Sequence, residues 1–142
     1  MDESLTSETL DFETQTDILT LLENVKCQGN NPSALKQALL ALANICSSNS
    51  ASQEYVHLTG GVEALQALLL EGCCPLSAVP AALYCLACAV RQNVTSQKAV
   101  LTERMFNLIH ELLSHSNSSD RLLQSAAFLL ACSVAGNSKF LC

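Results

Sequence analysis

The sequence predicts an all-α, right-handed solenoid of about two and a half three-helix repeats. Three observations carry that prediction. A run of small and apolar residues recurs every 44 positions. It reads Ala38-Leu39-Leu40-Ala41-Leu42-Ala43-Asn44, then Ala82-Leu83-Tyr84-Cys85-Leu86-Ala87-Cys88, then Ala126-Ala127-Phe128-Leu129-Leu130-Ala131-Cys132. The columns Ala38/Ala82/Ala126, Leu42/Leu86/Leu130 and Ala43/Ala87/Ala131 keep one residue type, and Asn49/Asn93/Asn137 follows as a fourth. Between chain breakers, apolar residues fall at i, i+3, i+4 and i+7, the spacing of one helix face. Composition agrees: 49% of residues are hydrophobic but only 4% aromatic, so Ala and Leu dominate and close helix packing is favoured. Units of this size stack on their neighbours and build a binding surface rather than a catalytic pocket.

Residues 1–15, acidic and rich in Ser and Thr, read as a flexible tail, with the folded domain expected over 16–142. The helical pattern opens at Thr16, with Ile18, Leu21, Leu22 and Val25 on one face. Gln28-Gly29-Asn30-Asn31-Pro32 stops it, Asn31 capping the next helix and Pro32 taking its first position. That helix is expected to reach Ser48, with Leu35, Leu39, Leu42, Ile45 and Cys46 on its apolar side. Asn49 marks a turn, and Ser50-Ala51-Ser52-Gln53 reads as a capping box for a short helix ending near Thr59. Gly60-Gly61 breaks the chain, because glycine takes positive φ without a side-chain clash. Val62, Leu65, Leu68 and Leu69 then share one helix face. After the Cys73-Cys74-Pro75 loop, Pro80 must lie in a first helical turn. The helix therefore starts near 77–79 and runs to Arg91. Helices over 95–101 and 104–113, a polar loop over 115–119 and a long helix over 120–135 follow. Lys139-Phe140-Leu141-Cys142 looks like the start of one more short helix.

Each unit is thus short, medium and long helix, the armadillo arrangement; a two-helix HEAT-type unit is the alternative. Ala41-Leu42-Ala43-Asn44-Ile45-Cys46 resembles the armadillo motif Ala-Leu-x-Asn-Leu that closes the third helix of a repeat. Thr59-Gly60-Gly61-Val62-Glu63-Ala64-Leu65 resembles its first-to-second helix corner. The resemblance implies that third helices line a concave groove, where an aromatic and an asparagine from successive repeats grip an extended peptide. Here Leu40, Tyr84 and Phe128 occupy the aromatic column, and Asn44, Cys88 and Cys132 the asparagine column. An asparagine amide holds a peptide backbone through both donor and acceptor. Only Asn44 retains it, and the chain has no tryptophan, which argues against a receptor for basic nuclear-localisation peptides. Tyr84 and Phe128 suit either groove anchors or core fillers.

A longer resemblance covers about residues 16–140. The succession Thr16-Asp17-Ile18, Leu21-Leu22, Ala38-Leu39, Ile45-Cys46, Asn49-Ser50, Gly60-Gly61, Ala81-Ala82-Leu83-Tyr84, Asn93-Val94, Gln97, Leu113-Ser114 and Ser116-Asn117 is similar to the N-terminal armadillo region of the telomere repeats-binding bouquet formation proteins. That family is implied to act in the nucleus in meiotic prophase, joining telomeres to the inner nuclear envelope so that chromosomes pair. Its implied partners are telomere-associated and nuclear-envelope proteins. The segments that bind the telomere-repeat factor and the partner bouquet protein, and the Myb-like domain, are implied to lie far downstream. The chain is therefore expected to be a fragment or short isoform. A generic armadillo or HEAT-like adaptor, or a truncated isoform without binding of its own, are the alternatives.

The net charge of −6 implies an acidic surface that repels phosphate. Direct nucleic-acid binding is not expected, and basic peptides or surfaces are better matched. The longest apolar stretch, Ala81 to Val90, is about half of what a bilayer needs, so no membrane insertion is expected. Met1-Asp2-Glu3 is acidic where a signal peptide is basic, which favours an intracellular chain. Its eight cysteines are then expected as free thiols, mostly packed in helices. Cys85-x-x-Cys88 lacks the further ligands of a zinc site. His110 and His115, five residues apart, project about 140° from each other on a helix and cannot share a metal. No phosphate loop or nucleophile–base pair is present. No catalytic, cofactor or metal residues are expected. The last long helix is expected to leave Leu122, Leu123, Phe128, Leu129 or Leu130 partly uncovered, because the third unit stops before its middle helix. Marginal stability or self-association follows from that expectation.

Overall fold

A computed structural model describes residues 10–28, 30–47, 49–114 and 119–134. Among these residues it contains eight α-helices, one 3-10 turn and no strand. They are α1 (Phe12–Cys27), α2 (Pro32–Cys46), α3 (Ser50–Leu58), α4 (Gly61–Leu70), a 3-10 turn (Leu76–Ala78), α5 (Val79–Val90), α6 (Val94–Val100), α7 (Glu103–Ser114) and α8 (Asp120–Val134).

Local chemistry sets the boundaries. Asn31 Oδ1 accepts from the Ala34 amide, so α2 starts at Pro32 as expected. Asn49 and Asn93, the described members of the Asn49/Asn93/Asn137 column, prove to be helix caps. Asn49 Oδ1 accepts from the amides of Ala51 and Ser52, and Asn93 Oδ1 from that of Ser96. Asn137 and the terminal stub lie outside the described residues. Gly60, at φ 82°, supplies the left-handed corner between α3 and α4. Gly61 serves proximity instead: a methyl group there would sit 2.5 Å from Val56 Cγ1 and 2.9 Å from its carbonyl oxygen.

Two local expectations are corrected. The first helix begins at Phe12 rather than Thr16, because Asp11 accepts from the Thr14 amide at 2.7 Å and caps it. Residues 12–15 are therefore helical, although their polar composition reads as tail. Gln53 closes no capping box, since Asn49 and not Ser50 is the cap. Its buried amide instead donates to the Cys46 carbonyl at 3.0 Å and accepts from the Gln92 amide at 2.8 Å. Gln97, 44 residues on, likewise donates to a carbonyl at the end of the preceding long helix, that of Arg91, at 3.0 Å.

The long helices pack in succession, α2 on α5 and α5 on α8, and the α5–α8 contact is the most extensive. Helix α1 covers α2, α4 packs on α5, and α7 packs on α8. Being flanked on both sides, α5 buries nine of its twelve residues, which explains its lack of charge. The alanine columns permit this close approach: Ala38, Ala82 and Ala126 are all buried. At the far side, Leu129 is fully buried, against expectation, while Leu122, Leu123, Phe128 and Leu130 are half-buried. Leu129 is placed on the face of α8 that meets the core.

Candidate functional site

Successive packing of α2, α5 and α8 aligns one face of each helix. On that face the 44-residue register brings Leu40, Tyr84 and Phe128 into a row. Leu40 and Tyr84 remain 42% and 38% exposed, and Phe128 is half-buried. The Tyr84 and Phe128 rings stack, with centroids 5.7 Å apart and planes 25° apart. Such a pair adds about 0.5–1.5 kcal/mol beyond simple burial. Tyr84 is therefore both packed and presented: its ring stacks on Phe128 while over a third of the residue stays exposed.

Beside this row lies a cleft of about 230 Å³. Leu40 and Lys36 of α2 form one wall, Tyr84 and Pro80 of α5 the floor, and Arg121 and Ser125 of α8 the other wall. Asn44 is exposed one turn beyond Leu40. It lines a neighbouring depression between α1 and α2, beside Asp17 and Leu21, and not the cleft of Tyr84. Cys88 and Cys132 lie beneath the surface, 1% and 5% exposed. Cys88 lies one turn from Tyr84, and its electrostatic influence holds the Tyr84 phenol above its ordinary pKa. At these two column positions the thiols fill space between helices and offer no amide to a peptide.

Lys36 and Arg121 are the wall residues that the repeat does not announce. In the 44-residue register Lys36 aligns with Pro80 and Gln124, so no column connects the two cations. A helical-wheel reading of α2 and α8 placed against a common neighbour is the signal that finds them.

The buried cysteines are inert toward nucleophilic chemistry. Burial pushes Cys46 up to about 12 and Cys85 well above its ordinary value. Cys88 and Cys132 are raised, again by burial. At neutral pH these thiols stay protonated. A sign follows for stability: the unfolded thiols ionise near the ordinary value of about 9, while the folded ones hold their protons. Stability is fully present below that value and is lost as pH rises toward about 12. Cys46→Ala is expected to flatten this alkaline limb, as read by urea midpoints at pH 8, 9 and 10. An unchanged slope would remove Cys46 as its source. In the same native protein, iodoacetamide should label the exposed Cys27 and Cys73 before any buried thiol.

Among the described residues no three His, Cys, Asp or Glu side chains are grouped to hold a metal ion. His110 is exposed on α7, and His115 lies outside the described residues. No described helix is long and apolar enough to cross a membrane.

No protein-family model matches the chain. No solved structure matches it either. It is similar to telomere repeats-binding bouquet formation protein 1 from three vertebrates. The Mus musculus protein is 29% identical over 133 residues, covering 88% of this chain and 16% of that protein. The Homo sapiens protein is 30% identical over 126 residues, covering 88% and 17%. The Danio rerio protein is 30% identical over 127 residues, covering 87% and 15%. The chain thus spans about a sixth of the length of these relatives.

Proposed function

We propose that the chain is a non-enzymatic, armadillo-type scaffold that binds partner proteins along the face formed by α2, α5 and α8. The observation that carries this reading is the stacked Tyr84–Phe128 pair, half presented to solvent where successive long helices meet. A side chain needed only for packing gains nothing from leaving over a third of its surface in water. The 44-residue columns and the order of helix packing support the armadillo reading. Similarity to bouquet formation proteins supports a telomere-related, meiotic role; a place near the nuclear envelope, with telomere-associated and envelope proteins as partners, is the finer part of this proposal. In this reading Leu40, Tyr84 and Phe128 make contact, Asn44 extends the surface, and Cys88 and Cys132 support it from below.

Affinity capture from meiotic cell extract with the chain as bait tests this. Tyr84→Ala is expected to lose at least about tenfold of a specific partner, since a central aromatic anchor contributes about 2 kcal/mol or more. Asn44→Ala should have a smaller effect because Asn44 lies outside the cleft. Equal recovery of every partner by wild type, Tyr84→Ala and Asn44→Ala would rule the face out.

A further inference from the structure

Net charge conceals a segregation. The long helices α2, α5 and α8 carry Lys36 and Arg121 against the single carboxylate of Asp120, with Arg91 capping α5. The other five helices carry seven acids against three bases. Lys36 of α2 and Arg121 of α8 line the same cleft, together with Leu40 and Tyr84. Neither cationic side chain has an ion-pair or hydrogen-bond partner among the described residues. Arg91 is close enough to Tyr84, Cys88 and Cys132 to bias their ionisation, which extends the positive character along the same face. The depression beyond Leu40 carries Asp17, so that character ends at the α1–α2 boundary.

From this arrangement we infer that the cleft recognises an acidic, extended peptide of a partner protein, with an apolar side chain set between carboxylates. The inference rests on the scaffold reading above and adds the chemistry of its partner. The apolar side chain would occupy the cleft between Leu40 and Tyr84, and flanking carboxylates would pair with Lys36 and Arg121. Charge complementarity selects this occupant: the other described helices carry net negative charge and disfavour an acidic segment. A basic peptide, which the overall charge of −6 favours, would meet three cations at this face. Nucleic acid is the weaker fit. Three separated cations fall short of the roughly 6–10 phosphate contacts of a typical binder, and the acidic remainder opposes a polyanion.

The test is a selection of random 12-residue peptides displayed on phage against the whole chain. Wild type is expected to enrich peptides with two or more Asp or Glu around a Leu, Ile or Phe. Binding of one such peptide should weaken with added salt. Lys36→Glu/Arg121→Glu should weaken it by at least about tenfold, and Lys36→Gln/Arg121→Gln by less. Circular dichroism confirms that each variant is folded, and the Gln pair carries the test if the Glu pair is not. Enrichment without charge bias that Tyr84→Ala abolishes would overturn the acidic specificity and leave the scaffold reading intact. Peptides bound equally by wild type, Tyr84→Ala and the charge variants would overturn both. A single-stranded oligonucleotide that binds wild type, and is lost with Lys36→Gln/Arg121→Gln, would overturn the peptide in favour of nucleic acid. Deleting residues 1–9, which include Asp2, Glu3, Leu5 and Glu8, should leave peptide affinity unchanged. A large gain would instead identify the chain's own acidic segment as the occupant.

Discussion

Leu86→Ala is expected to destabilise the protein by about 3–4 kcal/mol, lowering its melting temperature by roughly 10 °C. Leu86 is completely buried in α5, the helix flanked on both sides, so the surroundings cannot collapse into the lost volume. The residue is one of three that occupy the same column. Leu42→Ala should match it, because Leu42 is equally inaccessible between α1 and α5. Leu130→Ala should cost only about 1 kcal/mol, since Leu130 on α8 is half-buried and water can fill the space. Urea denaturation of the three variants gives the comparison. Equal losses at all three positions would show that Leu130 is covered as fully as its equivalents.

Gln53→Ala is expected to remove about 2–4 kcal/mol, through lost hydrogen bonds and the space left by a fully buried side chain. The amide of Gln53 joins the C-terminal end of α2 to the turn that follows α5, which is 39 residues away. Truncation removes the Gln53 bond to the Cys46 carbonyl, which keeps a longer bond from the Asn49 amide at 3.3 Å, and frees the Gln92 amide, a loss of about 1–3 kcal/mol in all. Gln53→Glu separates the two bonds. A carboxylate still accepts from Gln92 but repels the Cys46 carbonyl, so it should also destabilise. Hydrogen exchange gives a local readout: protection of the Gln92 amide should fall in Gln53→Ala and persist in Gln53→Glu. A Gln53→Ala urea midpoint within error of wild type would mean that the bridge adds nothing.

Much of the fold was legible because its determinants are local or periodic. The Asn31–Pro32 start and the Gly60 corner each depend on residues within one turn of one another, and each appears where expected. Asp11 was missed as a cap because the composition around it resembles a tail, and capping depends on one side chain rather than on an average. Gln53 was misread for a related reason. Ser50-Ala51-Ser52-Gln53 fits a local motif, but its decisive partners lie seven residues back and 39 residues ahead. The recurrence of Ser52-Gln53 at Ser96-Gln97 was a usable signal of a repeated structural bond.

For the candidate site, the register named the row Leu40, Tyr84 and Phe128 but not its surroundings. Placing Cys88 and Cys132 in the asparagine column was a matter of counting; finding both thiols under the surface needed the neighbouring helices. By itself the sequence determined the helices, their period and their order, because apolar spacing, caps and breakers act within a few residues. Only the tertiary structure decided which equivalent positions are buried and where the scarce positive charges converge. Burial depends on what packs on both sides of a helix, and charge complementarity depends on distances between side chains that no repeat connects.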